Sequence, residues 1–395
     1  MQLKTVAIEN FKSLQSSGTV RLKPLTVIIG SNGSGKSSLL EAVETYRRII
    51  LSGLDAGLED WGGIEQIRHK SAQRSMTRAA AVDPSRQYRP MRFTLNFKFD
   101  FGVTRLDMAI NSRDNGNVLY FQNEEVRQRG SSTRRDSAAG HGPDKSILAQ
   151  VPSFQPIERE LRRMLFLRLN PAQIGALQPT KRTGGRVQLR ADGANSAEYL
   201  IDLRERSASA YDDVMQAMRY VLPYATEVQP RIIDSGVARR SYLQLLEGRY
   251  EIPGWLMSTG SLRALPLVAT LLDPDPPPVV FIEEIENGLD PRTIGLMVDL
   301  LKGATASGRI QVVATTHSPY LLDQLDLADV LLCERTQKGP KFSWPAERDE
   351  LEKWRQRFMP GRLYTMNVLQ SSSVPTTPAN SSEGEAPNGG WGSGE

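Results

Sequence analysis

The chain has few of the residues that build disulfide or zinc frameworks. Among its 395 residues there are one cysteine, Cys333, and three histidines. A single cysteine excludes an internal disulfide and fits a reducing compartment, so we expect a cytoplasmic protein. One cysteine and three scattered histidines also exclude a zinc site of the usual ligand spacing.

Long apolar runs and heptad repeats are absent as well. No run approaches the roughly 18–20 apolar residues of a membrane helix, so we expect no membrane association. The first residues, 1–4, lead directly into a strand-like segment, so we expect no signal peptide. Without heptads the chain cannot form long coiled-coil arms. The formal net charge of +4 is too small to indicate a nucleic-acid partner by itself.

The sequence does contain a glycine-rich segment directly after an apolar run. Residues 30–37 read Gly-Ser-Asn-Gly-Ser-Gly-Lys-Ser and follow the apolar run 25–29. The N–H groups of such a loop can converge on phosphates, with Lys36 reaching the β- and γ-phosphates and the Ser37 hydroxyl ligating Mg²⁺. The alternative is a chance Gly/Ser-rich turn. An apolar face at helical spacing behind the loop argues against it and favours nucleoside triphosphate binding. That face consists of Leu39, Val43, Tyr46 and Ile50. The residues assigned to the nucleotide are Gly30, Ser31, Asn32, Gly33, Ser34, Gly35, Lys36, Ser37 and Ser38.

A second candidate element follows the apolar run 279–282, which predicts a buried strand. Glu283 and Glu284 come directly after it. The first carboxylate can hold Mg²⁺ through water, and the second can orient and deprotonate the attacking water. A surface acidic pair is the alternative interpretation. The four apolar residues before the pair weaken it, because ligands of a parallel sheet meet the ends of such strands.

Three more short motifs accompany these elements in a fixed order. They are Met257-Ser258-Thr259-Gly260-Ser261, Glu286-Asn287-Gly288-Leu289-Asp290-Pro291 and Thr316-His317-Ser318-Pro319. Together with the loop at 30–37, they resemble the ABC-type P-loop ATPases, in the branch that contains RecF, the chromosome-maintenance (SMC) proteins and the OLD-family ATPases. The segment 192–200 is also similar to the middle lobe of stand-alone bacterial AAA-family predicted ATPases of this branch.

The resemblance implies an ATP hydrolase that uses ATP and Mg²⁺. Glu283 would be the Walker B metal residue and Glu284 the catalytic glutamate. Ser258 and Gly260 would form the signature that binds the nucleotide of a second copy, which makes ATP the link of a homodimer and leaves room for a higher oligomer. Asp290 would stand in the D-loop. In addition, His317 would be the switch histidine and Lys12, in Glu9-Asn10-Phe11-Lys12-Ser13, a basic residue near the phosphates.

Several positions depart from the family pattern. Glu283 replaces the usual aspartate, and Met257 the usual leucine. Two residues, Gln66 and Gln73, are candidates for the Q-loop glutamine, and neither is well placed. Few ordered residues follow His317, so we expect no nuclease domain of the OLD type.

The pattern of elements predicts an α/β fold. We expect an ABC-type P-loop NTPase head with an antiparallel β subdomain, a mostly parallel helix-covered sheet and a helical, basic middle lobe. The expected parts are an N-terminal ATPase part (1–125), the middle lobe (126–253), a C-terminal ATPase part (254–367) and a disordered tail (368–395). Within them, residues 127–155 are expected to loop out and 156–169 to form a helix.

The charge of the middle lobe leaves two hypotheses for function. Between residues 127 and 190 there are thirteen Lys and Arg against four Asp and Glu, an excess of nine positive charges. Such an excess suits DNA backbone contacts, as in a RecF-like ATP-dependent clamp for DNA repair. A solvated face is the plainer alternative. The compact, arm-free chain favours a regulator of a separately encoded effector, such as a nuclease, in bacterial phage defence or genome maintenance.

Overall fold

The computed structural model describes residues 1–72, 88–113, 116–136, 142–180, 185–234, 238–337 and 339–370. Gln73 and the tail beyond residue 370 lie outside the described residues. The strands are β1 (Gln2–Phe11), β2 (Leu14–Ser16), β3 (Val20–Arg21), β4 (Leu25–Ile29), β5 (Met91–Phe99), β6 (Gly102–Arg113), β7 (Val118–Gln128), β8 (Ser131–Arg134), β9 (Leu165–Leu167), β10 (Gln178–Pro179), β11 (Glu227–Asp234), β12 (Arg239–Glu247), β13 (Tyr250–Pro253), β14 (Val279–Ile282), β15 (Gln311–Thr315), β16 (Val330–Thr336) and β17 (Gly339–Ser343).

The described helices connect and cover these strands. They are α1 (Lys36–Ser52), α2 (Leu54–Leu58), α3 (Ile64–Ile67), α4 (Ile147–Gln150), α5 (Gln155–Arg163), α6 (Pro171–Gly175), α7 (Ser196–Arg206), α8 (Ala208–Val221), α9 (Thr259–Leu272), α10 (Pro291–Ala306), α11 (Pro319–Asp323), α12 (Glu352–Arg355) and α13 (Pro360–Thr365). In this part of the chain, no helix is long and apolar enough to cross a membrane.

A six-stranded sheet forms the centre of the molecule. Its order is β17-β16-β4-β15-β14-β9, and every pair is parallel except β16 with β17. Both faces are covered: in β14, Val280 and Ile282 belong to one apolar core, and Val279 and Phe281 to the other. Because all four residues are buried, the strand is continuously apolar rather than alternating. The expected mostly parallel, helix-covered sheet is confirmed.

The expected antiparallel β subdomain is a seven-stranded sheet at the N-terminal side. Its order is β2-β1-β5-β6-β7-β8, with β3 paired to β1. In β5 the apolar positions are buried and the polar positions between them are more exposed, which is the alternation expected of a half-covered strand. The buried face packs on α1, whose apolar face (Leu39, Val43, Tyr46, Ile50) is fully inside.

Two expected elements in the middle of the chain are wrong. Residues 156–169 do not form one helix: α5 ends at Arg163, and the next residues form β9, the edge strand of the central sheet. The segment 127–155 does not simply loop out, because it holds the end of β7, β8 and α4. The domain boundary expected at residue 126 therefore falls inside β7.

A buried carboxylate ties the helical middle region to the core. Asp273 is the C-cap residue of α9 and is fully buried. It accepts hydrogen bonds from Arg206 (2.9 Å), Arg186 (3.1 Å) and the Tyr199 hydroxyl (2.6 Å). Burial alone would raise the pKa of Asp273, but the hydrogen bonds from Arg206 and Tyr199 outweigh it and hold the pKa below its usual value.

We expect Asp273→Ala to lower the free energy of unfolding by about 3–5 kcal/mol, because it leaves two partly buried guanidinium groups without their carboxylate. Chemical denaturation of the nucleotide-free protein measures this. The matched control is Asp275→Ala, which removes a carboxylate with 63% of its side chain exposed and should cost about 0–1 kcal/mol. Equal losses in the two variants would contradict a structural role for this cluster.

Candidate nucleotide site

The P-loop (residues 30–38) joins the buried strand β4 to helix α1, as expected from the sequence. Gly30 lies against the backbone of β16, where a Cβ atom would come within 2.1 Å of the Cys333 carbonyl oxygen. Gly33 and Gly35 have φ values of +71° and +120°, which disfavour residues with a side chain. The loop therefore has the tight, glycine-dependent path that exposes backbone N–H groups to a phosphate.

Lys36 lies over this loop. It is 6% exposed, and its Nζ donates hydrogen bonds to the carbonyl oxygens of Gly30 (2.7 Å) and Ser31 (3.0 Å). Burial lowers the pKa of Lys36, and nearby acidic groups, among them Glu284 and Glu286, oppose that shift. Glu284 and Glu286, in the loop after β14, are thus near enough to affect the charge of the P-loop lysine.

Hydroxyl groups surround the start of α1. Residues 31–33 and Ser37 are exposed, whereas Ser34 is buried. The Ser34 Oγ has no hydrogen-bond partner within the described structure, so the loop retains an unsatisfied polar atom. Ser38 accepts a hydrogen bond from the Ser13 hydroxyl (2.9 Å), which ties the loop after β1 to the P-loop helix. Ser13 was not predicted as a site residue from the sequence.

Glu283 stands at the end of β14 and is held by an arginine. Arg168 directly follows β9, and its Nε donates to Glu283 Oε1 at 2.8 Å. The same guanidinium contacts Glu44 of α1 at 2.5 Å. Burial raises the pKa of Glu283, and Arg168 opposes that shift. Arg168 was not predicted from the sequence as a residue of the nucleotide site, because residues 156–169 were predicted as one helix.

Glu284 is exposed and has a strained backbone. Its φ is +48°, in the left-handed region that non-glycine residues rarely adopt. The Glu284 N–H donates to Thr315 Oγ1 at 2.9 Å, and the Asn287 side-chain amide lies 3.4 Å from its carboxylate. The carboxylate therefore projects at the surface from a backbone that is held by Thr315 of β15.

His317 follows β15 after one residue and is partly buried. Its backbone N–H donates to Glu286 Oε1 at 2.7 Å, while the other carboxylate oxygen of Glu286 is buried without a partner in the described structure. Glu286 therefore connects the loop after β14 to the loop after β15. In the sequence, the one sign of this contact is that Glu286 lies two residues after Glu284.

The signature segment lies at the start of α9. Ser258 is the exposed N-cap residue, and its Oγ accepts a hydrogen bond from the Ser261 N–H at 3.2 Å. Gly260 packs so closely on the loop after β14 that a Cβ atom would lie 2.3 Å from the Gly288 carbonyl oxygen. The N-terminus of a 14-residue helix, which attracts anions, is thus turned to the surface.

Asp290 is the N-cap of α10, as its sequence context predicts. It accepts hydrogen bonds from the N–H groups of Arg292 (2.9 Å) and Thr293 (3.2 Å). The hydrogen bond from the Thr293 hydroxyl is the main cause that lowers the pKa of Asp290. In this chain the carboxylate stabilises the helix that follows the Gly288 turn.

Lys12 lies away from the centre of the loop. Its Nζ pairs with Glu41 of α1 at 2.9 Å and lies 3.5 Å from the centre of a Trp61 ring. Glu41 is more than one helical turn beyond Lys36, so Lys12 makes its contacts beside the P-loop helix rather than in the loop. Gln66 lies in the short helix α3, and Gln73 is outside the described residues.

The residues present fit a magnesium ion. Mg²⁺ is usually bound by one or two protein oxygens together with substrate phosphates and water. Ser37 at the start of α1 and Glu283 at the end of β14 offer such oxygens. Among the described residues, no three acidic, histidine or cysteine side chains form a cluster that could hold a metal alone.

Comparison with protein families identifies relatives of this chain. A family described as “AAA domain, putative AbiEii toxin, Type IV TA system” matches residues 25–323, and a family described as “AAA ATPase domain” matches residues 1–46. A protein of Helicobacter pylori named ATP/GTP phosphatase is 20% identical over 334 residues, which cover 82% of this chain and 87% of the relative.

Solved structures with a similar fold are SMC heads. One is an Smc head bound to the C-winged helix domain of ScpA, with a TM-score of 0.57 and 12% identity over 87% of this chain and 97% of that chain. Another is an Smc head domain with an extended coiled coil bound to the C-terminal domain of ScpA derived from Pyrococcus furiosus. It has a TM-score of 0.54 and 12% identity, and covers 86% of this chain and 95% of that one. At this identity the likeness concerns the fold.

Proposed function

Because the chain belongs to the AAA-domain family whose description includes an AbiEii toxin and a type IV TA system, and is an ABC-type P-loop ATPase, we propose that it dimerises around ATP. We further propose that the dimer regulates or loads a separately encoded effector, such as a nuclease, in bacterial phage defence or genome maintenance. In this proposal the nucleotide is held by the P-loop of one copy and by the signature segment of the other.

The observation that carries the proposal is the exposed start of α9. Ser258 caps this helix at the surface, and Gly260 packs on the loop after β14. The P-loop follows β4, which lies two strands from β14 in the sheet, or roughly 10 Å at the usual strand spacing. Two phosphate-binding elements at different places on one surface can serve one nucleotide when two copies face each other.

The proposed chemistry uses residues at the ends of three adjacent strands. Lys36 would hold the β- and γ-phosphates from β4, with Ser37 and Glu283 as ligands of a magnesium ion that neutralises phosphate charge. Glu284 would accept the proton of the water that attacks the γ-phosphorus, while the bond to the β-phosphate oxygen breaks. The ring of His317 would lie near the transferred phosphate. ADP and phosphate are the products.

Charge pairing weakens the DNA-clamp alternative. Eight arginines between residues 127 and 190 are ion-paired, in most cases with carboxylates outside that segment. The positive excess of the segment is therefore largely neutralised by neighbouring elements. The pairs are Arg127 and Arg134 with Glu125, Arg135 with Glu124, Arg162 with Glu158, Arg163 with Asp275, Arg168 with Glu283, Arg186 with Asp273 and Arg190 with Asp192.

A protein partner is favoured over DNA by two observations. The family description refers to a TA system, which joins two gene products. The Smc head with a similar fold is bound to a domain of ScpA in its structure, so a head of this fold can carry a protein partner. Salt-sensitive DNA affinity of the wild-type protein in ATP and Mg²⁺ would instead favour the clamp.

Ser258→Arg tests the shared site. The bulky side chain would stand where the γ-phosphate of the opposite nucleotide must dock, while the P-loop of the same copy is untouched. We expect ATP affinity within about twofold of wild type, no ATP-dependent dimer, and hydrolysis lowered by about 10²–10³-fold, the cost of losing one transition-state donor. Light scattering with ATP, nucleotide titration and steady-state hydrolysis measure the three quantities.

The control for this experiment is Ser307→Arg, a substitution of the same size at the exposed end of α10. It should dimerise and hydrolyse ATP as the wild type does. Wild-type dimerisation in the Ser258 variant would show that this surface does not meet a nucleotide.

A further inference from the structure

Arg263 is a buried cation one and a half turns into α9. It is 7% exposed and lies five residues after Ser258. Burial lowers the pKa of its guanidinium, and the charges of Glu284 and Glu286 oppose that shift. The described structure shows no ion pair of Arg263 with a carboxylate, which is a costly arrangement for a group that seldom leaves water unpaired.

The guanidinium instead donates to two carbonyl oxygens from different elements. One hydrogen bond goes from Nη1 to Leu169 O at 2.9 Å, just after β9, and one from Nη2 to Glu284 O at 3.0 Å. The third nitrogen of the guanidinium, Nε, is buried and has no hydrogen-bond partner in the described structure. A buried arginine with an N–H group that lacks a hydrogen-bond acceptor contributes little to the stability of the fold. The position of Arg263 therefore needs another explanation.

The carbonyl that Arg263 holds belongs to a strained residue. The positive φ of Glu284 is unfavourable for a residue with a side chain and persists only where neighbouring contacts fix it. Three such contacts are present on its own N–H and carbonyl groups: Thr315 accepts the Glu284 N–H, and the Glu284 carbonyl accepts from Arg263 and from the Asn287 N–H at 3.0 Å. Arg263 is thus one of two side chains that set the backbone from which the carboxylate projects.

The same helix touches the loop at a second point. Gly260 lies against the Gly288 carbonyl with no room for a Cβ atom. The first two turns of α9 are therefore attached to the loop after β14 near both of its ends, at residues 284 and 288. A shift of α9 would move the Glu284 backbone with it, because close-packed contacts of this kind transmit displacement.

We propose that Arg263 is a positioning residue that couples the signature segment to Glu284 within one chain. When the partner's nucleotide docks on Ser258, α9 takes the position in which Arg263 holds the Glu284 backbone carbonyl. The carboxylate of Glu284 is then oriented to accept the proton of water. This inference rests on the proposed ATP-linked dimer and adds that each copy adjusts its own base to the nucleotide of the other.

Arg263→Met tests the proposal, with Arg263→Lys as the conservative variant. Since misplacement by about 1 Å can cost about 10²-fold, we expect kcat of the Met variant to fall 30- to 100-fold. KM and the ATP dissociation constant should stay within about twofold, and the ATP-linked dimer should still form. The Lys variant should recover part of kcat, because an ammonium can reach one carbonyl. In a Glu284→Gln background, Arg263→Met should cause no further loss.

The control is Arg206→Met, which removes another largely buried guanidinium, that of the Asp273 cluster. It should lower the unfolding midpoint and leave kcat of the folded protein unchanged. The proposal is overturned if Arg263→Met leaves kcat unchanged, if its loss adds to that of Glu284→Gln, or if ATP affinity and stability fall together with kcat. A wild-type protein that stays monomeric with ATP would contradict the proposed function instead, and this outcome is read separately by light scattering.

Discussion

Replacing Glu284 with glutamine is expected to lower ATP hydrolysis by about 10²–10⁴-fold, the contribution of a general base. The amide keeps the size of the side chain but cannot accept the proton of the attacking water. ATP binding should persist, since the P-loop is unchanged and the Glu284 side chain stands exposed beyond it. The variant should therefore accumulate as an ATP-bound dimer, which light scattering and nucleotide retention during gel filtration measure.

The matched control is Glu158→Gln on α5, which removes a carboxylate whose one ion pair among the described residues is with the exposed Arg162. It should hydrolyse ATP at the wild-type rate. If Glu284→Gln also kept that rate, the base would lie elsewhere, and Glu283 would be the next residue to test.

Lys36→Ala is expected to abolish both nucleotide binding and hydrolysis. The ammonium now bridges two carbonyl oxygens of the loop, Gly30 and Ser31, and would turn to the phosphates when a nucleotide arrives. Its removal takes away a cation that stabilises the transferred phosphate, a loss worth about 10²–10³-fold in rate. Titration with a fluorescent ATP analogue should show no saturable binding, while circular dichroism shows an unchanged fold.

Lys302→Ala is the control for this variant. That lysine lies on α10, where its Nζ donates to the exposed Gln324 carbonyl. The substitution should change neither affinity nor rate. Wild-type nucleotide affinity in Lys36→Ala would overturn the assignment of the P-loop.

Much of the ATPase fold was predictable because its elements carry local signals. The apolar run 25–29 and the helical face behind the P-loop are read directly from residue spacing. The strand 279–282 is wholly apolar because both sides of the sheet are covered. Asp290 and Pro291 mark the start of α10, as the structure has it.

The errors arise where a short element depends on its neighbours. The edge strand β9 has three residues and follows a helix rich in charge, so local periodicity did not separate the two. Its hydrogen bonds to β14, at Leu165 to Leu167, are what fix it as a strand. The basic excess of 127–190 also depends on contacts that a count within the segment omits, because most of the paired carboxylates lie outside it, some just beyond its ends and others near residues 273–283.

Site residues divide in the same way. Motif residues such as Lys36, Glu284 and Ser258 were identified from the sequence, and their roles remain predictions. Arg168 and Arg263 were missed, because their importance comes from contacts across more than 20 residues of sequence. The spacing of residues in the sequence does not predict such contacts.

Mixing Ser258→Arg with Lys36→Ala tests the shared ATP site most directly. Each variant alone should be inactive, one for lack of a signature and the other for lack of a P-loop lysine. A heterodimer of the two has one intact site, formed by Lys36 of the first variant and Ser258 of the second. With random pairing and independent sites, an equal mixture should recover up to about one quarter of wild-type activity. If Ser258→Arg alone hydrolyses ATP at the wild-type rate, in proportion to protein concentration, or if heterodimers form without any recovery, the shared site is contradicted.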